Sequence, residues 1–213
     1  MLFLGEINSP LFDWLRKQEE SVIQTNDKIT AEFIDRNNVG FIVSYGYRHI
    51  LKADVLNKLP LKAVNLHISY LPWNRGADPN LWSFIAGSPK GVTIHYLDEG
   101  VDTGDVIAQK EIEFKSDNET LATTYEKLQS EIQELFKCHW AKIKTGECKG
   151  HQQKGTGSLH KLKDKECLSH LLTDGWNTRI SLLEEYAEEI QMNTQFWDKY
   201  DREIEEIRNG NKA

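Results

Sequence analysis

A chain of 213 residues, 39% apolar and 28% charged, has the balance of an ordinary globular protein and is long enough for one sizeable core. Its 26 basic residues against 33 acidic ones give a formal charge of −7, which argues against a nucleic-acid partner, whose phosphates reward a basic face. No stretch approaches the roughly 20 apolar residues of a membrane helix. The three cysteines, Cys138, Cys148 and Cys167, form no CxxC pair, so a disulfide framework is not expected and a reducing cytoplasm fits.

In chain order, Met1 to Gly5 reads as a short strand and Leu11 to Lys17 as an amphipathic helix. Ser21 to Thr25 suits a second strand. Asp27 then looks like the N-cap of a helix with Ile29, Phe33 and Ile34 on one face. The apolar runs from Phe41 to Tyr45, Lys62 to His67 and Val92 to Leu97 suit buried parallel strands. Asp78-Pro79 pairs an N-cap with a first-turn proline and opens a helix through Phe84. Ser116 to Glu119 has the form of a capping box. The stripe of Leu121, Tyr125, Leu128, Ile132, Leu135 and Cys138 then predicts a long helix stopped by Gly146. Beyond Gly150 the chain is more polar, with a helix expected near Asp164 to Leu172 and a longer one from about Asn177 to Arg208. The stripe of Ile180, Leu183, Ala187 and Ile190 suits packing on the chain's own domain. The pattern predicts an α/β fold, a Rossmann-like mainly parallel sheet flanked by helices with a small helical C-terminal extension. The corresponding domains are residues 1–150 and 151–213.

The chemistry concentrates in two segments, Val64 to Gly76 and Gly91 to Asp105. Asn65 and His67 stand two apart at a strand end, so their side chains leave one face. An amide beside an imidazole suits a carbonyl whose oxygen becomes negative during attack. Asp102 follows in a loop after the next strand and could reach the imidazole if the two strands are neighbours. A carboxylate there favours the charged ring and a role in proton transfer. His95 either faces the same cleft or is a core histidine. No clustered metal ligands stand out.

Taken together, the segments from Phe41 to Glu113 resemble the folate-dependent formyltransferase family. The resemblance rests on Asn65-Leu-His67, then Leu71-Pro72 and Arg75-Gly76, then Gly91-Val-Thr-Ile-His95, then Asp102-Thr-Gly-Asp105. It implies catalytic roles for Asn65, His67 and Asp102, with Asp102 rather than Asp105 as the acid. It also implies a cis peptide at Leu71–Pro72. The formyl donor implied is 10-formyltetrahydrofolate, its pterin bound by main-chain groups of two loops, Tyr47 to Leu51 (Arg48, His49, Ile50, Leu51) and Asp98 to Asp102 (Asp98, Glu99, Gly100).

For the acceptor, the resemblance favours the small sugar N-formyltransferases, which act on nucleotide-linked amino-deoxy sugars for surface glycans. A tRNA acceptor implies a further basic C-terminal domain, whereas a polar, acidic stretch follows Gly150. The purine-pathway enzyme implies a glycine-rich loop after the first strand, whereas this chain has Gly5-Glu-Ile-Asn-Ser-Pro10. Within the loop Trp73 to Trp82, Trp73, Arg75 and Asn80 are the expected acceptor contacts, with Arg75 pairing a phosphate. A UDP-linked 4-amino-4,6-dideoxy-N-acetyl hexosamine is the particular sugar implied, and a homodimer is left open. A glycinamide ribonucleotide acceptor, or a noncatalytic folate- or nucleotide-binding module, are the alternatives.

Overall fold

The computed structural model describes residues 1–19, 21–115 and 118–191. Its sheet is built from β1 (Leu2–Leu4), β2 (Ile23–Thr25), β3 (Ile42–Tyr45), β4 (Ala63–His67), β6 (Gly91–Tyr96) and β7 (Val106–Glu111), ordered β2-β1-β3-β4-β6-β7. The first four strands run parallel, and β6 and β7 are each antiparallel to their predecessor in the sheet. A two-residue pair, β5 (Arg75–Gly76) with β8 (Leu159–His160), stands apart from it. This is the expected mainly parallel, Rossmann-like α/β sheet, with one correction. The expected strand at Val92 to Leu97, β6, does neighbour β4, but antiparallel, and β7 is an additional strand.

Strand alternation divides the core between two faces. Phe3, Val43, Val64, Leu66, Val92 and Ile94 pack with Leu11 and Leu15 of α1 (Pro10–Gln18) and with the buried stripe of α5 (Leu121–Thr145). Leu2, Leu4, Ile42 and Ala63 pack with Ile34 of α2 (Ala31–Arg36) and Val55 of α3 (Ala53–Leu56). A third cluster joins Leu81, Trp82, Phe84 and Ile85 of α4 (Pro79–Ile85) to Leu121 and to Ile180 and Leu183 of α6 (Ile180–Gln191). Leaving β4, the chain passes through α4 and re-enters the sheet beside β4 from the same end. That is why β6 returns antiparallel.

Several helix boundaries differ from those expected. The hydroxyl of Thr30, not the side chain of Asp27, caps α2 by accepting from the Phe33 N–H. Asp78 precedes α4 but makes no side-chain cap; it sits at φ 49° and pairs with Lys165 at 3.0 Å. In α5 the capping box is formed by Thr120 and Thr123, after the expected Ser116–Glu119 box, whose Ser116 and Asp117 lie outside the described residues. The buried face of α5 keeps Leu121, Leu128 and Ile132 but continues through Phe136, Trp140 and Ile143, leaving Tyr125 and Cys138 exposed. Gly146 ends the helix in the left-handed conformation, φ 75°. Residues Asp164–Leu168 form a 3-10 helix, shorter than the expected one. In α6, Ile180, Leu183 and Ala187 are buried, whereas the Ile190 side chain and the stretch toward Arg208 lie outside the described residues. Among the described residues no helix is long and apolar enough to cross a membrane.

Candidate active site

Val64 and Leu66 point into the α1–α5 core, so Asn65 and His67 leave β4 by the opposite face. Antiparallel pairing sets His95 of β6 directly opposite Asn65, and Thr93 opposite His67. Asp102 enters from the loop between β6 and β7. Its Oδ1 accepts from the Asn65 amide at 3.1 Å and lies 3.4 Å from His95 Nε2. Its Oδ2 accepts from the Gly76 N–H at 2.8 Å and lies 3.6 Å from His67 Nδ1. The carboxylate thus joins Asn65, His67, His95 and the backbone of β5.

The ring nitrogens have assigned neighbours. His67 Nε2 lies 3.0 Å from the Asn74 carbonyl, which can only accept, so this nitrogen carries a hydrogen. A second proton on Nδ1 would lie between the ring and Asp102. By the same reasoning His95 donates from Nδ1 to the Tyr96 carbonyl at 2.8 Å, and its Nε2 faces the Asn65 amide nitrogen at 3.2 Å. His67 and His95 are buried, and the Asp102 side chain is only 13% exposed. Burial alone would raise the Asp102 pKa. The charge of His67, the hydrogen bond and charge of His95, and the Gly76 N–H outweigh it and hold the group well below the usual carboxylate range.

The surrounding loops are tied down by contacts distant in sequence. Leu71–Pro72 is cis. Buried Asn74, whose carbonyl accepts from His67, donates its side-chain amide to the Ser88 hydroxyl and its backbone N–H to the Ser158 hydroxyl, both at 2.8 Å. Gly157 packs so closely on Pro72 that a Cβ would come within 2.1 Å of its carbonyl oxygen. Gln153 donates to the carbonyls of Asp102 and Gly104 and accepts from Arg75. Gly76 lay within the Arg75-Gly76 motif, but neither it nor Asn74, Gln153 or Ser158 was given a role in the sequence, since contacts between residues distant in sequence leave no local pattern.

The other expected site residues divide. Arg48, His49, Asp98, Glu99 and Gly100 are exposed, and Ile50 is 61% exposed. Leu51 is instead buried in the α2–α3 core cluster, against which Tyr47 and Leu97 also pack, so the two loops share one apolar footing. The second loop is closed by Asp98, which accepts from the Gly100 N–H and the Thr103 hydroxyl. Trp73 is 39% exposed and Arg75 half-buried beside the cluster. Asn80, expected to contact the acceptor, is 2% exposed, and its amide donates to the Leu121 carbonyl and the Thr124 hydroxyl. Its side chain holds α4 to α5. Among the described residues no group of His, Cys, Asp and Glu could hold a metal ion.

Residues 6–137 match the formyl transferase family. The solved structure of the formyltransferase PseJ from Anoxybacillus kamchatkensis, in complex with UDP-4,6-dideoxy-4-formamido-L-AltNAc and tetrahydrofolate, is 50% identical to this chain. The two superpose with a TM-score of 0.83 over 87% of this chain and 98% of that one. A sugar N-formyltransferase from Shewanella sp. FDAARGOS_354 shares the fold, with a TM-score of 0.70 at 22% identity over 87% of each chain. The methionyl-tRNA formyltransferase of Syntrophus aciditrophicus is 42% identical over 86 residues, 40% of this chain and 28% of that protein. The chain therefore spans well under half the length of the curated relatives it matches. The family match takes in Asn65, His67, His95 and Asp102 and covers more than half of the sequence, so this chain belongs to the formyl transferase family of enzymes.

Proposed function

We propose that this enzyme transfers the formyl group of 10-formyltetrahydrofolate to the amine of a nucleotide-linked amino-deoxy sugar, in the cytoplasm, with Asn65, His67 and Asp102 as catalytic residues. The observation that carries the chemistry is one largely enclosed carboxylate joining an amide and an imidazole at the end of β4. The amine attacks the formyl carbon, a new C–N bond forms, and the carbonyl oxygen takes up the negative charge. Asn65 and a protonated His67 donate to that oxyanion. Those N–H groups are held in the structure by Asp102, His95 and the Asn74 carbonyl, contacts the oxyanion must displace. Asp102 holds His67 and helps pass the proton released by the attacking nitrogen to the departing N10 of the folate as the old C–N bond breaks. The products are the formamide and tetrahydrofolate.

The main-chain groups of residues 47–51 and 98–102 would bind the pterin, with Leu51 anchoring the first loop from the core. Trp73 and Arg75 would meet the acceptor, Arg75 at a phosphate. The sugar reading is supported by 50% identity, over nearly all of its length, to an enzyme crystallised with a UDP-linked formamido sugar. A UDP-linked 4-amino-4,6-dideoxy-N-acetyl hexosamine is accordingly the first acceptor to try.

The test is incubation with 10-formyltetrahydrofolate and a panel of UDP- and dTDP-linked amino sugars, glycinamide ribonucleotide and initiator methionyl-tRNA. Mass spectrometry should show one formyl group gained by a UDP-amino sugar. Formylation of the ribonucleotide or the tRNA, with every sugar unchanged, would overturn the acceptor.

A further inference from the structure

We infer that Gln153 is a positioning residue of this site, locking the loop that carries Asp102 and coupling it to the Arg75 guanidinium. The inference rests on the formyl-transfer reading above and adds to it a residue beyond the family-matched stretch.

Gln153 Nε2 donates to the Asp102 carbonyl at 2.8 Å and to the Gly104 carbonyl at 2.9 Å. Its Oε1 accepts from Arg75 Nε at 3.1 Å and Nη2 at 2.7 Å. Both N–H groups and the oxygen of one amide are therefore engaged. Only an amide supplies both donors and the acceptor that these four partners need, and asparagine is one methylene shorter. A carboxylate would set oxygen against two carbonyls, and a cation would face Arg75.

The contacts close a ring. Asp102 accepts through its carboxylate from the Gly76 N–H, and through its carbonyl from Gln153. Gln153 leads to the Arg75 side chain, and Arg75 is joined to Gly76 by the chain itself. Pairing of Arg75 with Leu159 fastens this ring to the segment that carries Gln153. The turn it secures needs holding, since Asp102 sits at φ 52°. Gly104 beside it packs where a Cβ would come within 1.8 Å of the Tyr96 carbonyl oxygen. Arg75 presents the rest of its guanidinium to an anionic group of the acceptor, at an angle that Gln153 fixes. One side chain thus sets the distance between the acid of the site and the cation that orients the acceptor.

Two variants separate its two arms. Gln153→Met loses all four contacts, whereas Gln153→Glu keeps an acceptor for Arg75 and loses the donors to the Asp102 loop. In Gln153→Met, kcat should fall at least about tenfold and the KM of the formyl acceptor rise about threefold or more, the scale of misplacing a reacting group. Gln153→Glu should restore the acceptor KM while kcat stays low. The Asp102 carboxyl, followed by 13C NMR, should titrate higher in both variants than in the wild-type enzyme.

Unchanged kcat and an unmoved Asp102 titration in both variants would overturn the assignment. So would a loss of kcat that merely follows the unfolded fraction measured by thermal denaturation. If the wild-type enzyme formylates no amino sugar, the acceptor reading fails by itself. The titration still decides on Gln153: an upward movement supports it, and an unmoved midpoint overturns it.

Discussion

At Asp102 the backbone φ of 52° lies in the left-handed region, which costs a non-glycine residue on the order of 1–2 kcal/mol. The Gly76 N–H, the Asn65 amide and Gln153 hold the residue there, and the two imidazoles keep its carboxyl ionised. Loss of that charge or of its donors should appear in turnover more than in folding. His67→Ala and Asn65→Ala should each reduce kcat by about a hundredfold or more, the scale of removing an oxyanion donor. Asp102→Asn should abolish most activity, while Asp105→Asn, at an exposed side chain, should be much milder. Steady-state kinetics on the four variants checks this, and near-normal turnover in the first two would remove the catalytic assignment. The sequence made Asn65 and His67 legible because a spacing of two on a strand carries direction. His95 stayed ambiguous because its partner depended on strand pairing. Gln153 was invisible, since a glutamine in a polar stretch has no signature until its partners are in place.

Elements were read better in kind than in extent. Short apolar runs marked every parallel strand, but parallel pairing was carried too far, to β6. That strand's direction depends on the end from which the chain re-enters the sheet after α4, which is tertiary information. Helix starts suffered from a surplus of capping residues. Before α5 the chain offers Ser116, Asp117, Asn118 and Thr120, and the serine with Glu119 three places on fits the usual box. The helix instead starts after Thr120, whose hydroxyl accepts from the Thr123 N–H while the Thr123 hydroxyl accepts from the Thr120 N–H. Thr120→Ala should therefore lower stability by about 1 kcal/mol, the usual loss for a cap. Glu119→Ala should stay within about 0.5 kcal/mol, as surface substitutions do. Urea denaturation of both variants measures the difference, and equal losses would place the cap wrongly.

For the molecule as a whole, two of the places that bind residues 151–191 to the rest bear on the site. One is the site, where Gln153 and Ser158 hold the loops under Asp102 and Asn74. The other is the third apolar cluster, where Leu168, Ile180 and Leu183 bury against α4 and the start of α5. The helix α4 follows directly on the strand Arg75–Gly76 that donates to Asp102, so the two attachments share one element. The polar composition beyond Gly150 reads as an appendage; of its apolar side chains, Leu168, Ile180 and Leu183 form a joint with α4 and the start of α5, whereas Leu159, Leu162, Trp176 and Leu182 are exposed. Leu183 is fully buried in that joint. Leu183→Ala should cost about 2–5 kcal/mol, the range for truncating a buried leucine, and the cost should fall on the whole fold. Thermal unfolding followed by circular dichroism should remain one transition at a lower midpoint, with formyl transfer lost at the same temperature. An early separate transition that leaves activity intact would show that α6 folds apart from the site. Residues 151–191 would then be an appendage in structure as well as in composition.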